Sequence, residues 1–160
     1  MLSLLFCWGC QLSSLQQESD QKNNISKFNL NCNKLISICE SHLGYPYVWG
    51  GISVTNGGFD CSGFIYSVFK RYGTPIPRTT SKKYWLFFES PSVHWSNSKC
   101  GYLVWWTLTP DRPFGHIGIM VDSKTFWQSG TSTGPVERNF IDDRFWSSVF
   151  VGAKDSQLLN

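Results

Sequence analysis

The sequence predicts an α+β fold, with N-terminal helices packed on an antiparallel β-sheet. Two observations carry this. Apolar residues recur at helical spacing as far as residue 72, and from Gly101 onward short β-rich runs alternate with turn residues. Helices followed by strands, rather than the two in alternation, is the α+β order. Asn31 to Leu43 reads as the first helix, with Cys32, Leu35, Ile36, Cys39 and Leu43 on one face and Gly44 and Pro46 as its stop. Residues 45–58, YPYVWGGISVTNGG, form a turn-rich loop. Asp60 to Tyr72 is the second helix. Phe64, Ile65, Val68, Phe69 and Tyr72 supply its apolar face, and Gly73 is placed to cap its C-terminus. Prolines set an extended entry through TPIPRTTSKKYW, with a short helix expected after Thr79. The runs GYLVWWTL, HIGIMV, KTFWQSG and SVFVGAK are strands. In HIGIMVDSKTFWQSG a hairpin turn near Asp122–Ser123 places residue 116 opposite residue 128, on the same face. No internal repeat is visible.

Composition bounds the function. The chain has 160 residues, is 41% hydrophobic and 16% aromatic, and so can fill one core; a charged fraction of 16% argues against disorder outside the ends. A net charge of +3 without a Lys/Arg block gives no footprint for nucleic acid. The opening MLSLLFCWGC is an apolar run ending at Gly9-Cys10. It resembles the end of a secretory leader with a bacterial lipobox, which makes Cys10 a lipidation candidate and the membrane a point of attachment. No Lys or Arg precedes the run, and a start upstream of Met1 would account for that; the bland alternative is a frayed apolar terminus. On the leader reading residues 1–31 are a signal and polar tether, and residues 32–160 the functional domain.

Six cysteines are present: Cys7, Cys10, Cys32, Cys39, Cys61 and Cys100. On one helix Cys32 and Cys39 stand about 10 Å apart along the axis, too far to bridge each other, and both read as core residues. Cys100 reads either as a surface thiol or as an unpaired core residue. No CxxC pair meets a second one or an HxxxH, so the spacing gives little support for a structural zinc site.

Cys61 differs from the rest. Asp60 is a good N-cap, which puts the thiol in the first turn of the second helix. Unpaired N–H groups and the helix dipole there favour an anion. The expected result is a lowered thiol pKa, a nucleophile at neutral pH, and donors for an oxyanion. Small Ser62 and Gly63 leave room for a substrate. Of the three histidines, His42 near the end of the first helix suits the dipole as a cation, and His94 lies in an exposed loop. His116 opens a strand, a rigid place from which to present an imidazole to Cys61. Gln128, across the hairpin, is placed to accept from the ring and fix its tautomer; as an isolated residue it could equally be an ordinary polar strand residue.

In order and spacing, YPYVWGG, FDCSGFIYSVFKRYG, IPRTT, GYLVWW, GHIGIMV and TFWQSG resemble the NlpC/p60 cysteine peptidases, which cleave the stem peptides of bacterial peptidoglycan. The resemblance runs from about residue 34 to 154. It implies a papain-like fold with Cys61 as nucleophile, His116 as base and Gln128 as third polar residue. It also implies that Tyr47 borders the active site and that Asp60 and Ser62 help to bind the stem peptide. The expected function is a cysteine endopeptidase acting on stem or cross-link peptides through an acyl-enzyme, with no metal or cofactor needed, at the cell envelope or secreted. A thiol amidase, acyltransferase or antibacterial effector of the same fold is the alternative, and a non-catalytic wall-binding module is a third. The sequence departs from the family at Cys100-Gly101-Tyr102-Leu103, where the family carries Pro-Gly-Asp-Leu. The aromatic stretch from Tyr84 to Trp95 reads as a cover over the core or as a wall of the cleft.

Overall fold

The computed structural model describes residues 16, 17, 19, 20, 31–130 and 136–159. Of the leader and tether, residues 1–31, only residues 16, 17, 19, 20 and 31 are described, all of them helical; Cys10 lies outside the described residues. Helix α1 covers residues 31–40 and gives way to a turn over residues 41–44, so the expected helix is shorter than Asn31 to Leu43. A small hairpin of β1 (Ile52–Ser53) and β2 (Gly58–Phe59) leads into α2 (Cys61–Tyr72). Then come α3 (Ser81–Phe87), β3 (Leu103–Trp106), β4 (His116–Met120), β5 (Thr125–Ser129), β6 (Val136–Phe140), α4 (Arg144–Ser148) and β7 (Phe150–Lys154).

The five long strands form one antiparallel sheet in the order β6-β5-β4-β3-β7. β3, β4 and β5 are buried on both faces, and alternate residues divide between two cores as the pleat requires. Leu103, Trp105, Ile117, Ile119 and Trp127 pack with Phe59, Phe64, Ile65, Val68 and Phe69 from the helical side. Val104, Trp106, Met120 and Phe126 pack on the other face with Ile141 and Trp146. The aromatic stretch is a cover: Tyr84 is buried, and Trp85 meets Trp105 edge-on at 5.2 Å and tilts over Phe114 at 4.6 Å.

α2 runs under the sheet between two well-defined ends. Asp60 accepts from the Gly63 N–H as N-cap, and Gly73 takes a left-handed conformation at φ 106° as C-cap. The expectation for Cys32 and Cys100 is corrected: they form a disulfide with Cα atoms 6.0 Å apart, tying α1 to the loop before β3. Cys39 stays a free, buried thiol, as read from the helix face. His42 is corrected too. It is not a surface cation but a buried ring, held by Ile38 O at 2.7 Å and Ser67 Oγ at 2.9 Å, and burial lowers its pKa.

Candidate active site

The start of α2 and the start of β4 open on one cleft. Its larger part, about 430 Å³, is lined by Tyr47, Trp49, Gly50, Asp60, Cys61, Ser62, Thr79, Thr80 and Ser81, with Arg78 and Gly115. A smaller part, about 200 Å³, is bordered by Cys61, His116, Tyr47, Trp49, Leu108, Thr109, Arg112 and Gly115. Cys61 therefore sits where the two parts meet, with the imidazole on one side only. His94 lies on the surface as the cap of a 3-10 turn, and His42 belongs to the core.

Asp60 anchors the arrangement. One carboxylate oxygen accepts from Gly63 N at 2.5 Å and Ser62 Oγ at 2.8 Å, and the other accepts from Gly50 N at 3.0 Å. Arg78 pairs with that second oxygen at 2.6 Å, donates to Ser62 Oγ at 2.8 Å, and reaches the Thr79 carbonyl. A guanidinium suits three acceptors at once because its donors form a rigid fork. Asp60 and Ser62 thus face the cleft already engaged with each other and with Arg78. The small size of Gly63 also has another cause than the one expected. A Cβ there would overlap the carbonyl oxygen of Gly51, so the missing side chain admits the glycine loop rather than a substrate.

The thiol is 8% exposed. Its lowered pKa was expected from the helix end, and the structure reverses that: burial, then the charge of Asp60, push Cys61 up to about 12, against weaker help from backbone N–H groups and Arg78. Its nearest acceptor is the Gly115 carbonyl, at 4.0 Å. His116 is lowered to about 4 by burial, partly countered by its bond to Gln128. The resting site is therefore a neutral thiol beside a neutral imidazole. Tyr47 is likewise held up at about 12, chiefly by burial, and keeps its proton as a donor.

Gln128 meets His116 by a different register than expected. β4 and β5 pair Ile119 with Trp127 and Met120 with Phe126, which sets Gln128 opposite Gly118 rather than His116. Residues 116 and 118 share a face, so the contact survives on the diagonal: His116 Nε2 lies 2.8 Å from Gln128 Oε1. An amide oxygen only accepts, so the ring proton is on Nε2 and Nδ1 carries the lone pair. Behind it, Gln128 Nε2 donates to Glu137 Oε1 and Asn139 Oδ1, each at 3.0 Å. Trp146 of α4 stacks on the imidazole at 5.7 Å and 23°.

Several of these residues escaped sequence reasoning. Trp49, 78% exposed at the rim with Arg112 5.9 Å above its ring, sits inside the quoted YPYVWGG, but nothing marks it as a lining residue. Glu137 and Asn139 alternate in VERNF, a pattern too polar to read as a strand. Trp146 carries no local signal at all. Among the described residues no cluster of His, Cys, Asp or Glu could hold a metal ion.

A helix-borne thiol and a sheet-borne imidazole–amide pair opening on one cleft define a papain-like α+β class of protein. A model described as the NlpC/P60 family matches residues 44–155, and the chain belongs to that family. It is 34% identical over 129 residues to the probable peptidoglycan endopeptidase LytE of Bacillus subtilis (strain 168), covering 79% of this chain and 35% of that protein. It is 33% identical over 113 residues to the murein DD-endopeptidase MepH of Escherichia coli (strain K12), covering 70% of this chain and 41% of that one. Among solved structures it superposes with a TM-score of 0.65 on a Staphylococcus aureus (subsp. aureus Mu50) protein described as similar to lipoprotein, NLP/P60 family. That match has 24% identity, over 78% of this chain and 40% of the other, and shows the fold. The chain thus spans well under half the length of these relatives.

Proposed function

We propose that this chain is a cysteine endopeptidase that hydrolyses stem or cross-link peptides of bacterial peptidoglycan. The observation that carries the reading is the cleft: Cys61 lies at its middle, and His116, its Nε2 proton engaged by Gln128, borders it with Nδ1 left as the basic nitrogen. Its membership of NlpC/P60 and the activities named for LytE and MepH supply the substrate class.

The chemistry follows from the neutral resting pair. Cys61 Sγ bonds to the peptide carbonyl carbon as its proton passes to His116 Nδ1. The backbone N–H of Cys61, at the first position of α2, and the O–H of Tyr47 are the donors nearest to hand for the oxyanion. The imidazolium then protonates the leaving amine and the C–N bond breaks. Water, giving its proton to His116, attacks the thioester and releases a carboxylic acid and the free thiol. Asp60, Ser62 and Arg78 hold the wall of the larger part of the cleft, where the acyl portion of the stem peptide would lie.

Location belongs to the same proposal. A disulfide between Cys32 and Cys100 suits an oxidising compartment, which supports the envelope or the exterior. Attachment through a lipidated Cys10 would show as a diacylglyceryl mass on the native N-terminus.

The test is a digest of purified sacculi, read by mass spectrometry, with native protein and Cys61→Ala. New muropeptides should appear with the native chain and fall roughly 10⁴-fold or more in the variant; their masses identify the bond. Undiminished release by Cys61→Ala would sink the mechanism, and no release by a folded native chain would sink the substrate.

A further inference from the structure

Gln128 is a two-sided link. An amide can turn either its oxygen or its NH2 toward His116, and the ring takes the complementary tautomer, with its proton on Nε2 in the first case and on Nδ1 in the second. Only the first leaves Nδ1 free as a base. What faces the far end of the amide decides between them. Gln128 Nε2 lies 3.0 Å from Glu137 Oε1 and 3.0 Å from Asn139 Oδ1. Asn139 is itself an amide and can be turned to suit either arrangement. A carboxylate has no such freedom, since when ionised it only accepts. Glu137 stands directly opposite Gln128 in the β5–β6 ladder, with Asn139 one step along the same face opposite Phe126. It is half-buried, while Gln128 is fully buried, so the amide is not left to water for its orientation.

We propose that Glu137 is a positioning residue: its carboxylate holds the Gln128 amide with the oxygen toward His116, and so keeps the ring proton on Nε2 and the lone pair on Nδ1. The polarity of the whole chain, Glu137 to Gln128 to His116, is set at the carboxylate end. No proton moves along it; the carboxylate acts on the base only through the amide between them. The inference rests on the reading of His116 as base, yet its first test needs no substrate.

That test is long-range 1H–15N correlation of the imidazoles in the full, 15N-labelled chain at pH 7.5, with His116 assigned by its loss in His116→Gln. Native protein, Glu137→Gln and Glu137→Leu are compared. The native ring should show the Nε2–H pattern. Glu137→Leu should move a large share of it to Nδ1–H, and Glu137→Gln a smaller share, since a glutamine oxygen can still accept. On sacculi, kcat should fall about tenfold in Glu137→Leu with KM unchanged, in the range seen when supporting partners of functional histidines are removed. If Glu137→Leu does not fold, the near-isosteric Glu137→Gln alone decides. A ring proton that stays on Nε2 in every folded variant overturns the proposal, even if kcat falls. Absence of hydrolysis by the native chain would overturn the peptidase reading and leave the tautomer result to judge Glu137 separately.

Discussion

His116 packs its ring on Trp146 and against Trp106, at 5.7 and 5.6 Å between centroids, and this enclosure sets its chemistry. Burial brings its pKa from an ordinary 6.5 to about 4. Between those two values the unfolded chain binds a proton that the folded chain does not, so stability rises with pH through the window. The contribution is fully present above 6.5 and gone below 4, and amounts to about 3 kcal/mol. Denaturant unfolding in steps from pH 7.5 to 4 should show this loss in native protein, and the part due to His116 should vanish in His116→Gln; equal slopes in the two would refute it. In the proposed mechanism the base must be neutral to act, so the acid limb of the hydrolysis profile should lie well below 6.5, toward 4. A limb at 6.5 would mean that the ring is far better solvated than its packing implies. Sequence reasoning placed Cys61 at a helix start, His116 at a strand end and Gln128 across a hairpin from it, since all three are local features. It missed the direction of the thiol's pKa, because the helix dipole is local and can be read from an N-cap, whereas desolvation depends on everything that packs around the residue.

At the scale of elements, α2 was legible at both ends because Asp60 and Gly73 are cap residues with a physical reason to be there. Register was harder. Asp122 gathers the N–H groups of Lys124 and Thr125 at 2.7 Å each, and Val121 N bonds Thr125 O, so the turn is wider than Asp122–Ser123 alone. The expected pairing slipped by an even number of residues, which preserves the face, and that is why the His116–Gln128 contact was still anticipated. β6 was not read as a strand because its outward residues Arg138 and Phe140 and its charged Glu137 break the alternation that a half-buried strand shows. Two substitutions probe the start of α2. Gly63→Ala drives a Cβ into the Gly51 carbonyl and should cost about 3 kcal/mol by denaturant unfolding, an overpacking effect at the upper end of its usual range. Arg78→Lys keeps the charge but not the fork, and should cost about 1–2 kcal/mol and lower kcat/KM; unchanged kinetics would show that the Asp60–Arg78 pair has no part in shaping the cleft.

At the scale of the whole molecule, and among the described residues, one disulfide joins the helical and sheet halves. Cys32 and Cys100 are 68 residues apart, a separation no local pattern bridges, and the pairing was unreadable for that reason. Closing a loop of that length restrains the unfolded chain, so Cys32→Ser/Cys100→Ser should lose about 4 kcal/mol. A melting temperature unmoved by the double substitution, or by dithiothreitol, would show that packing alone holds α1 in place. The same chain keeps Cys61 reduced. Thiolates rather than thiols attack disulfides and are captured by oxidants, and a thiol with a pKa near 12 is ionised at pH 7 in on the order of one molecule in 100,000. A surface cysteine would be ionised at the level of a few per cent. Burial of Cys61 therefore works as a preservative: in surroundings oxidising enough to form the Cys32–Cys100 bond, the thiol proposed as nucleophile stays unspent between encounters.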